Sequence, residues 1–171
     1  MRVAAQRFAD IPELIDGIPG RFVFFVAADT LDIVREQLVD VSEEVLRRGA
    51  AAVHCWGHGA ARLEHCFDEA AMRVFNETDP VILTSSSEDG DLEDAIWEGV
   101  MATFPAEGLN DGYERVVLAI VGSPAMIAQA DAYLELESHF AMRPNMRLKL
   151  TARVDCGMNL SSARRSLSAI R

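Results

Sequence analysis

The sequence predicts an α/β domain in three layers, an α/β/α sandwich with a mostly parallel sheet of at least four strands. Three observations carry that expectation. Four short apolar runs are nearly continuous instead of alternating, as strands covered on both faces of a parallel sheet are. Stretches of helical period lie between them, and the links are short, so the order β-α-β-α-β-α-β-α implies right-handed crossovers of Rossmann-like or flavodoxin-like type.

The runs are Phe22 to Ala28 (FVFFVAA), Ala51 to Trp56 (AAVHCW), Val81 to Ser85 (VILTS) and Arg115 to Val121 (RVVLAIV). Flanking glycines and β-branched residues favour strand over buried helix. Ahead of them, residues 1–20 are expected to add a short helix near Pro12 to Asp16 or an edge strand at Arg2 to Ala5. The first helical stripe is Leu31, Val34, Leu38, Val41 and Val45, with Asp29 or Thr30 as N-cap and Gly49 closing the far end. Leu63, Cys66, Phe67, Ala70 and Val74 repeat it, with Arg62, Glu64, His65, Asp68, Glu69 and Arg73 opposite. Leu92, Ala95, Ile96, Val100 and Thr103 form a third, stopped by Pro105. The fourth opens at Ser123-Pro124, a cap followed by proline at the first helical position, and continues through Met126, Ile127, Ala130, Leu134 and Phe140.

A chain of 171 residues, half of them hydrophobic, suits one such core. The domain is expected over residues 1–141, with residues 142–171 a basic tail that is disordered or loosely packed. Truncation after Ala141 is then expected to lower the melting temperature little. No apolar run approaches the ~18 residues of a membrane span. Arg2, Arg7, Asp10 and Glu13 interrupt the start, which therefore does not read as a signal peptide. Cys55, Cys66 and Cys156 are too few for a disulfide framework, and reduced thiols fit a cytoplasmic protein.

Charge is unevenly divided. In residues 142–171, seven basic side chains against Asp155 give +6, so the net -11 of the whole chain leaves -17 on residues 1–141. Such a field disfavours nucleic acid and anionic membranes, and favours basic partners or simple solubility. The tail, MRPNMRLKLTARVDCGMNLSSARRSLSAIR, carries the chain's one lysine and differs in pattern from the rest. Over about its last 26 residues it resembles the arginine- and serine-rich read-through peptides that close open reading frames on mobile, integron-type gene cassettes. The rival reading is a nucleic-acid-binding arm, which its charge would allow, although it lacks aromatic residues to stack on bases.

The segments HCWGHGAARLEHCFDEA and TSSSEDGDLEDAIW, within Arg21 to Gly122, are similar to an uncharacterised family of small bacterial α/β proteins. In that family Trp-Gly closes one strand, an Asp-containing helix follows, and an acidic turn leads to a Leu-x-x-Ala-x-Trp helix. Trp56, Gly57, Asp68, Asp91, Leu92, Ala95 and Trp97 stand at the corresponding places. The family carries a Trp-His pair near the end of the third strand, where this chain has Ser85 and Ser86. The resemblance implies a fold and no activity.

Ligands of open parallel sheets bind outside the carboxyl ends of the strands. The loops to inspect are therefore Asp29-Thr30, Trp56 to Gly59, Thr84 to Gly90 and Gly122-Ser123. Gly57-His58-Gly59 has some character of a phosphate cradle. The dinucleotide fingerprint would need a third glycine where Arg62 stands, and there is no Walker lysine. His54, Cys55, His58, His65 and Cys66 include metal-ligand types in unsuitable spacing, since His54 and Cys55 point to opposite faces of a strand. His58 and His65, with Asp68 or Glu64, are the pair that would have to converge.

Ser85, Ser86 and Ser87 offer hydroxyl nucleophiles and His58 a base, without a Gly-x-Ser-x-Gly elbow. The ordinary role of such a run is capping, with Ser87 or Asp89 taking free N–H groups and Asp91, Glu93 and Asp94 in the first turn. An acidic phosphoacceptor pocket from Asp29 and Asp32 lacks the basic residue expected near Gly122-Ser123. Trp56 and Trp97 either seal the sheet or frame a contact surface.

The expected function is a non-catalytic interaction or regulatory module of an accessory bacterial protein, without cofactor or metal, that binds a basic protein partner or itself. Its surface is drawn from Asp29, Trp56, His58, Ser85, Ser86, Glu88, Asp89, Asp91 and Trp97. The alternative is a small enzyme or ligand-binding protein with a site at the carboxyl ends of the strands.

Overall fold

A computed structural model describes residues 2–76, 78–109 and 113–136. Five parallel strands form one sheet in the order β1-β5-β2-β3-β4. The chain runs β1 (Arg2–Ala5), a 3-10 turn, α1 (Ile11–Leu14), β2 (Arg21–Ala28), α2 (Arg35–Arg47), β3 (Ala50–Trp56) and α3 (Ala60–Val74). It continues through β4 (Leu83–Ser87), α4 (Leu92–Met101), β5 (Tyr113–Val121) and α5 (Pro124–Leu136). The α/β architecture is as the apolar runs implied, and the N-terminal segment supplies both the edge strand and a short helix.

The layering follows from strand alternation. Phe22, Phe24, Val26 and Ala28 share one buried cluster with Ala51, Val53 and Cys55 and with residues of α1, α2 and α3. Val23, Phe25 and Ala27 join Ala52, Val116, Leu118 and Ile120 in a second cluster with α4 and α5. Phe22 to Ala27 are 0% exposed, which is why β2 can be apolar at every position after Arg21. On the α2–α3 side, Arg73 bonds Glu43 at 3.1 Å and Arg35 pairs with Glu69 at 2.6 Å, tying the helices together above the core. β1 is tied to α5 by the Arg2–Asp131 ion pair.

Several boundaries differ from the sequence expectation. α2 starts at Arg35, and Leu31 and Val34 are exposed instead of belonging to its buried stripe. Thr30 is fully buried and its hydroxyl is directed at the Gly59 carbonyl instead of capping a first helical turn. Asp29 accepts the Leu31 N–H (3.2 Å) in a local turn. The third run forms a strand two residues later than expected, at Leu83–Ser87; Val81 is exposed. α4 stops at Met101, leaving Thr103 outside it. Its cap is Asp91, whose carboxylate accepts the Asp94 N–H at 2.8 Å, and not Ser87 or Asp89. At α5 the expected cap is present, Ser123 Oγ accepting the Met126 N–H at 3.3 Å. Phe140, the proposed boundary at residue 141, Cys156 and the basic tail lie outside the described residues.

Candidate functional site: the strand ends and the hydroxyl edge

At the carboxyl ends of β2, β3 and β4, three loops lock into one another. The Thr30 N–H donates to the His58 carbonyl (3.0 Å) and the Thr30 hydroxyl to that of Gly59 (3.0 Å). The Gly57 N–H donates to the Ser87 carbonyl (3.2 Å). Arg62 reaches back to the Thr30 carbonyl at 3.1 Å. Gly57 has φ +113° and faces the Ala28 carbonyl, so a side chain there would meet that oxygen at 2.5 Å. Glycine is therefore required for close approach of backbone. The helix N-terminus expected to have the character of a phosphate cradle already faces a carboxylate, because Glu88 Oε1 lies 3.4 Å from the Ala61 N–H.

What remains at this end is exposed acid. Asp29, Asp32, Glu88, Asp89 and Asp91 all face solvent. His58 stands 3.7 Å from Asp29, both side chains mostly exposed, and His65 stands beside Asp68 at 4.0 Å. The two histidines thus have separate acidic neighbours, and among the described residues no group of three or more metal-ligating side chains is close enough to hold an ion. Cys55 and Cys66 are buried free thiols on the α3 side. Burial pushes both thiols up, Cys55 strongly, so neither has thiolate character.

The serines separate by strand alternation. Ser86 donates to Glu64, and Thr84 donates to Asp68 at 2.6 Å; both face α3. Residues four apart on a helix advance about 6 Å, and residues two apart on a strand about 6.6 Å, which is why the two pairs match. Ser85 points the other way and lies 2.8 Å from His54 Nδ1. Ser87 donates to the Asp89 carbonyl at 3.1 Å.

His54 is not among the nine residues expected to form the surface. It is 1% exposed and stacks on Phe25, with ring centroids 5.8 Å apart and planes 14° from parallel. Its Nε2 is buried without a hydrogen-bond partner among the described residues, 3.9 Å from Glu98 Oε2. Desolvation lowers its pKa despite the opposing pull of Glu98 and Glu64, so the ring is neutral near pH 7. Trp56, on the same face of β3, has its own indole N–H buried and without a partner among the described residues. Trp97 is 49% exposed on α4. The signal that would have found His54 is register: His54 and Ser85 are direct neighbours across β3 and β4, and placing β4 two residues early conceals that.

A cleft of about 260 Å³ lies at the opposite, amino end of the strands, lined by Arg21, Arg47, Gly49, Phe75, Pro80 and Leu109 among others. None of the residues nominated from sequence lines it.

No curated protein and no solved structure matches this chain. The segments that carry the family resemblance, around Trp56-Gly57 and Asp91 to Trp97, fall inside a single match to a family model. That model is described as a domain of unknown function (DUF7684) and matches residues 1–135; the chain belongs to this family.

Proposed function

We propose that the chain is a non-catalytic interaction or regulatory module whose acidic strand-end face contacts a basic protein partner. The observation that carries this is the loop lock: Thr30, Gly57, Gly59, Ser87 and Glu88 direct their polar groups at one another, while Asp29, Asp32 and Asp89 are exposed around them. A surface of this kind attracts cations over a distance. The -17 carried by residues 1–141 repels phosphate backbones and anionic lipid. The cassette-like tail supports an accessory bacterial protein that travels on a mobile element, and the unpaired thiols support a cytoplasmic setting.

The test uses a short fluorescein-labelled peptide of alternating lysine and threonine and measures anisotropy against salt. Binding is expected to weaken in Asp32→Lys with Asp89→Lys, and its salt dependence to become shallower. Asp91 is left in place because it caps α4. Binding unchanged by the reversals would overturn the proposal.

One observation favours a second reading, a small hydrolytic enzyme: the 2.8 Å contact between Ser85 Oγ and His54 Nδ1. In the tautomer with its proton on Nε2, Nδ1 is free to accept from the serine hydroxyl, the polarity a nucleophile needs, in competition with the Val53 carbonyl, 3.4 Å from the same hydroxyl. A fluorophosphonate probe distinguishes the two. A stable adduct on Ser85, absent in Ser85→Ala, would favour the enzyme; an unlabelled Ser85 favours the module.

A further inference from the structure

We infer that the outer edge of β4 takes an extended basic segment of the partner as a sixth strand. The inference rests on the acidic-face reading above and adds the manner of contact. β4 ends the strand order, and among the described residues no strand lies beyond it. The Ser87 carbonyl accepts the Gly57 N–H, so Ser87 turns its backbone polar groups toward β3. In a strand, the N–H and C=O of one residue point to the same side and alternate along the chain. Ser85 therefore shares the inward side, and Thr84 and Ser86 present their N–H and C=O outward, the row an added strand needs.

Natural edges are usually blunted by proline, lysine, an inward charge or a bulge. LTSSS contains none of those residues, and the β3–β4 register runs unbroken from Leu83 to Ser87. The opposite edge differs, since β1 has four residues and carries Arg2, which is paired with Asp131. The hydroxyl side chains of β4 are short and leave room for a neighbour.

Charge selects the occupant. Glu64 and Asp68 flank the edge on the α3 side, held there by Ser86 and Thr84. Glu88 and Asp89 continue the acid at the carboxyl end, and Glu98 lies near Ser85's partner His54 on the other face. Arg62 of α3 is occupied by the carbonyls of Thr30 and Leu31. A second copy would bring the same acids against these, so a basic strand is the complementary partner. Leu83, 47% exposed, offers an apolar contact at the amino end.

The experiment uses the full chain and the lysine–threonine peptide in three forms: unmodified, N-methylated at odd positions and N-methylated at even positions. Methylation removes donors from one edge of the peptide without changing its charge. One methylated form is expected to bind about tenfold or more weakly than the unmodified peptide, and the other comparably to it. Amide exchange at Thr84 and Ser86 should slow when the unmodified peptide binds. Equal binding of all three would overturn strand addition while leaving the acidic-face contact standing. Failure of the unmodified peptide to bind would overturn both. A dimer in sedimentation that the peptide does not dissociate would assign the edge to a second copy and also overturn the inference.

Discussion

β2 and β4 belong to the same sheet, separated by β3, and are built on opposite principles. Phe22 to Ala27 of β2 are 0% exposed and pack into clusters on both faces. No residue of β4 is fully buried: Leu83 is exposed and Thr84 to Ser87 are half-buried. In β2 the side chains gain from leaving water, each large one contributing on the order of 1.5–3 kcal/mol. In β4 each hydroxyl has a named partner: Asp68, His54, Glu64 or the Asp89 carbonyl. Hydrogen bonds that replace bonds to water give a net of about 0.5–1.5 kcal/mol, and solvent screens those to the partly exposed acids. Stability therefore concentrates in the centre of the sheet, and the chemistry open to a partner concentrates at its edge.

The comparison is broken most directly at Phe25. Phe25→Ala removes a ring packed against Gly99 and His54 and should cost about 3–5 kcal/mol in urea unfolding. A loss below about 1 kcal/mol would mean the centre is not the stabilising half. Gly57→Ala comes next, at about 2 kcal/mol, because it combines a φ of +113° with contact on the Ala28 carbonyl. Its unfolding midpoint should fall, while the carbonyl-to-amide link from Ser87 loosens and exchange at Gly57 quickens.

His54 joins the two regions, and its effect depends on pH. Its folded-state pKa is lowered from 6.5 by burial, so above about pH 6.5 both folded and unfolded states are neutral and its contribution is fully present. As pH falls below that value the unfolded chain takes up the proton first, and stability declines until the folded-state pKa is passed. Urea midpoints at pH 7 and about pH 5 should therefore differ more in the wild type than in His54→Phe. Equal differences would show that His54 does not carry the slope. The smallest effect belongs to the edge: Thr84→Ala, which loses the bond to partly exposed Asp68, should cost less than about 1 kcal/mol. A cost as large as that of Phe25→Ala would erase the distinction between the strands.

The apolar runs, the stripes of α3 and α5 and the alternation of strand and helix are legible in the amino acids alone, because each depends on residues close in the chain. FVFFVAA is strand-like wherever it lies in the fold, and Leu63, Cys66, Phe67 and Ala70 fall on one buried face at helical spacing alone. The nine nominated surface residues were readable as polar or aromatic groups near strand ends, though not as a set with partners.

Features that depend on distant neighbours emerge only from the packed fold. Ser85 meets His54 across 31 positions of sequence, and Thr30 meets Gly59 across 29. Those contacts fix where β4 begins, why α2 starts at Arg35 and which serine faces which acid. A parallel sheet makes this unavoidable: adjacent strands are joined by whole helices, so register and cross-loop hydrogen bonds are set only when separate crossovers pack against each other.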